Sequence, residues 1–104
     1  MTTITTATIQ SMLARNARDI GLLEATIDFF KRQGIYYKSK LEHAVTPNLI
    51  FNYKFSIENS YKGIAKSRKQ VKTLASIQRQ LKDEIRERKA YNVALKSFWE
   101  ERNA

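Results

Sequence analysis

The chain has 104 residues, no cysteine, three glycines, one proline and a formal net charge of +9. That length supports one domain at most, and the lack of cysteine excludes disulfides, thiolate metal sites and cysteine nucleophiles. So few breakers exclude an all-β fold, which needs a turn about every 8–12 residues, and a hydrophobic content of 42% argues against disorder, so the expected class is all-α.

The opening Met1–Thr6 run lacks the basic and apolar regions of a signal peptide. No stretch approaches the roughly 18 apolar residues of a membrane span. The expected location is therefore cytoplasmic, or the host cytoplasm if the protein is viral. The Thr-rich start is β-branched and poorly helical, which predicts a frayed end and a helix beginning between Thr5 and Ile9. From there Ile9, Leu13, Asn16, Ile20, Leu23, Ile27, Phe30, Gly34, Tyr37, Leu41 and Ala44 alternate by three and four, as in a coiled-coil seam. Asn16 on that seam would fix register if buried, or simply lie near an exposed helix end. Lys31-Arg32-Gln33-Gly34 has the form of a helix stop. Yet the seam keeps its phase across Gly34, which favours one helix over about 6–45.

Thr46-Pro47-Asn48 is the expected turn. Proline biases Thr46 out of the α region, which suits an N-cap, and is itself favoured at the first helical position. A second helix follows over about 48–102, with a seam through Ile57, Ser60, Ile64, Ser67, Val71, Leu74, Gln78, Leu81, Ile85, Arg88, Asn92, Leu95 and Trp99. Two long helices on a short link predict a single domain built as an antiparallel, coiled-coil-like hairpin. Its arms would be roughly 60 and 80 Å long. Breaks at Gly34 and Gly63 would instead give a small bundle of four helices. In the hairpin, Tyr36, Tyr37 and Phe51–Phe55 are expected to cluster at the tip, with Phe98 and Trp99 at the far end near Met12 and Leu13.

Charge is unevenly spread. Residues 1–50 carry six basic and four acidic groups, whereas residues 51–104 carry thirteen and six. One position beyond each step of the second seam from Ser67 to Arg88 lie Arg68, Lys72, Ala75, Arg79, Lys82, Arg86 and Lys89, a nearly unbroken cationic row roughly a quarter-turn from the apolar residues. Lys62, Lys66 and Lys69 widen this positive surface. From Arg68 to Lys89 the row spans roughly 32 Å of helix, close to one duplex turn of about 34 Å. Such clustering is the footprint of an acidic partner, most often nucleic acid.

Little else in the chain carries chemistry. The single histidine, His43, sits near the turn beside Glu42. Glu84 with Arg88, Glu58 with Lys62, and Asp28 with Lys31 and Arg32 have the spacing of ordinary helix ion pairs. There is no HExxH, EF-hand loop or phosphate-cradling glycine run, so neither a catalytic role nor a metal or other cofactor is expected. Helix-turn-helix, basic-zipper and zinc-finger patterns are absent too, so any nucleic-acid binding should be largely independent of sequence. Two functions stand side by side. One is a non-enzymatic basic protein holding nucleic acid through phosphates. The other is a helical adaptor, inhibitor or assembly subunit that uses its aromatic and apolar faces on another protein, an acidic surface among the candidates. Either is expected to work as a homodimer or within a hetero-complex. Binding to a membrane surface is disfavoured by the narrow, polar-interrupted seam.

Overall fold

A computed structural model describes residues 4–103. The frayed start expected for Met1–Thr3 lies outside them. Two helices form an all-α hairpin, α1 over Thr6–Glu42 and α2 over Pro47–Asn103. Thr5 caps α1, its hydroxyl accepting from the Thr8 N–H at 3.1 Å. At the other end α1 stops at Glu42 instead of continuing to 45, so Ala44 belongs to the connection and not to the seam. His43 has left helical geometry, its N–H donating to the Lys40 carbonyl, and Ala44 donates to Leu41, both at 3.2 Å. These tightened bonds satisfy the Lys40 and Leu41 carbonyls. The turn is thus His43–Thr46 instead of 46–48. Thr46 starts α2 by accepting from the Leu49 N–H at 3.3 Å, with Pro47 as the first helical residue.

Neither Gly34 nor Gly63 interrupts its helix, and the four-helix alternative is not adopted. Both lie where the two helices face each other, but only Gly63 is required for their close approach. A Cβ built on Gly34 would meet the Ser60 Cβ at 3.8 Å, an ordinary contact. One built on Gly63 would lie 2.6 Å from the Phe30 ring, which fills the notch the glycine leaves. Nearer the tip, Tyr37 and Tyr53 face each other across the hairpin at 6.1 Å. Phe51 and Phe55 do not join that cluster. They stack on each other at 6.4 Å and remain exposed.

The result is a rod with extents of 86 × 25 × 15 Å and a radius of gyration of 24.0 Å, against about 13 Å for a compact globule of this length. Two helices alone cannot enclose much. Among the described residues Ile9 is the one buried hydrophobic residue, joined by the polar Asn16, Ser60 and Ser67. Ser60 satisfies its hydroxyl within its own helix, donating to the Ser56 carbonyl at 3.0 Å. Asn16 does not: its Oδ1 is buried with no hydrogen-bond partner among the described residues, so no hydrogen bond among them through that oxygen fixes register. Asn16→Leu should therefore raise stability by about 1–2 kcal/mol. The urea unfolding midpoint would show it, and a fall in midpoint would mean that Asn16 makes a bond that matters.

Candidate nucleic-acid interface

The cationic row inherits its straightness from α2, which runs without a break from Pro47 to Asn103. The half-buried seam residues Val71, Leu74, Leu81 and Ile85 turn towards α1, and the helical period then sets Arg68, Lys72, Arg79, Lys82, Arg86 and Lys89 along one flank of the hairpin. All six are exposed, as are Lys62, Lys66 and Lys69. The last three do not share the row's face. At about 100° per residue Lys62 and Lys69 point away from α1, and Lys66 lies further round, towards the opposite flank. The cationic surface therefore wraps the outer side of α2, densest along the row.

Neutralisation is sparse. Arg86 pairs with Asp83 at 2.7 Å, one turn along the same helix. Among the described residues Arg68, Lys72, Arg79, Lys82 and Lys89 have no carboxylate within 4.0 Å. Arg88, on the seam, pairs with Glu84 at 2.9 Å and donates to the Ile4 carbonyl at 2.6 Å, tying the start of α1 to α2. Asp28 is held by Arg32 at 2.7 Å. The Glu58–Lys62 and Asp28–Lys31 pairs that spacing suggested are not formed.

The hairpin adds residues that the linear sequence did not group with the row. Lys38 of α1 stands over the Tyr61 ring of α2 at 4.9 Å, and Lys31 lines the same shallow groove beside Tyr61 and Ile64. Tyr61 is one helical repeat before Arg68, so both lysines extend the row towards the tip. Finding them required the interhelix register, because α1 alone shows only scattered charge. The opposite flank is different in kind. There Leu22, at 62% exposed, and Leu23 form an apolar groove with Lys69, Thr73 and Leu74 of α2. Phe29 and Tyr36 follow Leu22 at seven-residue steps on the same side of α1 and are also exposed. That second stripe was visible in the spacing and was missed because the stronger seam lies beside it.

No cluster of three or more His, Cys, Asp or Glu able to hold a metal ion occurs among the described residues. No helix among them is long and apolar enough to cross a membrane. Comparison of the chain with protein-family models, curated proteins and solved structures returns no match.

Proposed function

We propose that this is a non-enzymatic protein that binds nucleic acid through phosphate contacts from the cationic flank of α2, largely regardless of base sequence. The observation carrying this reading is the row itself: exposed cations, five of them unneutralised among the described residues, spaced along one face of a continuous helix. Steps of three and four residues are about 4.5–6 Å apart along the axis, whereas each strand of a duplex offers a phosphate every 3.4 Å or so. The two spacings do not lock one to one. Binding of this kind gains from counterion release, which needs density of charge more than register, and that favours sequence tolerance.

The test is binding of a labelled duplex of about 20 base pairs, and of single strands, at 50–300 mM salt. Five or six phosphate contacts give a log–log salt slope near −5, or about a thousandfold loss of affinity between 50 and 200 mM. No binding at 50 mM overturns the proposal. The exposed stripe of Leu22, Phe29 and Tyr36 favours a second reading, in which another protein docks on the opposite flank. On that reading Phe29→Ala abolishes partner capture and leaves nucleic acid irrelevant.

A further inference from the structure

The two arms of the hairpin are unequal. α1 begins at Thr6 beside Arg88, where the guanidinium meets the Ile4 carbonyl and the Thr6 hydroxyl. α2 continues from Lys89 to Asn103, about 22 Å further. The placement of Phe98 and Trp99 near Met12 and Leu13, expected from the sequence, is thus corrected: α1 starts too far down α2 to reach them. The overhang still carries the seam. Asn92, Leu95 and Trp99 continue, in phase, the run Leu81, Ile85 and Arg88 that α1 covers. Tyr91, Leu95, Phe98 and Trp99 are between 41% and 67% exposed. The lane that α1 occupies along α2 stands open beside them among the described residues.

We propose that a second copy of this chain fills that lane, its own overhang running antiparallel so that two hairpins join tail to tail. Three features select this occupant. First, the overhang continues an interface that the chain already makes with an antiparallel helix, in the same seven-residue phase. Second, beyond Lys89, the last cation of the row, the segment is neutral, Lys96 and Arg102 against Glu100 and Glu101, in a helix that is otherwise strongly cationic. It is therefore a poor phosphate ligand, and self-association there is little opposed by charge. Third, the segment is self-complementary. In the seam register set by a two-fold axis, Leu95 of each chain packs against the partner's Trp99, and Asn92 lies level with the partner's Arg102. Across the axis Lys96 lies nearest the partner's Lys96, and Glu100 of each chain, 3.9 Å from its own Lys96, offsets that repulsion. Phe98 and Trp99 lie edge to face at 5.4 Å, with Arg102 over Phe98 at 5.0 Å, so the aromatic pair and the cation form one contiguous patch at this end.

Antiparallel pairing also puts matching flanks of the two helices on the same side. Two cationic rows would then share one face of a rod about 150 Å long, given 86 Å for each hairpin and an overlap of about 22 Å. The dimer does not rest on nucleic-acid binding, so each can fail without the other.

Nuclease-treated full-length protein in 0.5 M salt is the material for the test, with mass in solution measured from about 1 to 500 µM. The interface is small, so a dimer of twice 12.1 kDa is expected to form on the order of 10 µM. Trp99 is the sole tryptophan; its emission should shift to the blue over the same range as it is buried. Leu95→Lys and Trp99→Glu, both at exposed positions of the single hairpin, should return the protein to a monomer with its helicity retained. Asn92→Cys chains should not cross-link with themselves but should cross-link with Arg102→Cys chains. A monomer throughout, a dimer that survives both substitutions, or self-cross-linking of Asn92→Cys would overturn the proposal.

Discussion

Reversing four cations at once, Arg68→Glu, Lys72→Glu, Arg79→Glu and Lys82→Glu, should cost at least about a thousandfold in affinity for duplex at 100 mM salt. It should also flatten the salt slope by about 3.6, since each phosphate contact contributes about 0.9. Location is what makes these four decisive. All four side chains are exposed and none has an acidic partner among the described residues, so the hairpin loses no ion pair when they change. Helicity should hold, and so should the melting temperature within a few degrees. The comparison that decides the matter is a charge change elsewhere: Arg15→Glu, Arg18→Glu and Lys66→Glu, exposed positions away from the row. These should weaken binding less than about tenfold, through the general field alone. Equal losses from the two sets would show that net charge, and not the row, attracts the ligand. Replacing the four with glutamine should lower the slope in the same way with a smaller loss, because repulsion is not added.

The three glycines should respond to alanine with different signs. Gly21 has nothing near its missing Cβ and Gly34 only an ordinary contact with Ser60. Alanine at either should stabilise the hairpin by up to about 1 kcal/mol, the helix-propensity difference. At Gly63 the same change puts a methyl group into the Phe30 ring. Displacing a packed ring costs about 1–3 kcal/mol, which meets or exceeds the propensity gain. Thermal melts followed by circular dichroism should therefore rank Gly21→Ala and Gly34→Ala above the parent and Gly63→Ala below it. Combining Gly63→Ala with Phe30→Leu should recover part of the loss, a coupling that two independent sites would not show. A Gly63→Ala protein as stable as Gly21→Ala would mean that the ring yields freely.

These glycines also show how far a single sequence could be read. The alternation of threes and fours named the seam on each helix, and Thr46-Pro47 marked the start of the second. Both signals are local. Whether a methyl group is tolerated at Gly34 or Gly63 was not local: it depends on Ser60 and Phe30 lying opposite, which only the paired helices reveal. The stop signal at Lys31–Gly34 lost to a seam that continues beyond it. The same limit governed the cationic flank. Its α2 members follow from spacing, while Lys31 and Lys38 join it only through the register that puts Lys38 over Tyr61. The unequal arms were legible in the sequence, but which part of α2 stays uncovered depends on where Thr6 meets Arg88.

That meeting point bears on how the chain folds. Arg88 and Ile4 are 84 residues apart in sequence, while Tyr37 and Tyr53 flank a connection of only a few residues. Closing the short loop first costs far less chain entropy, and each later layer then closes only a small additional loop. Assembly should start at the Thr46 corner and zip towards the two ends. Amide exchange should be slowest on the arms just behind the tip and quicken towards Ile9 and Ile85, so the open end is the first part of the hairpin to part under heat or force.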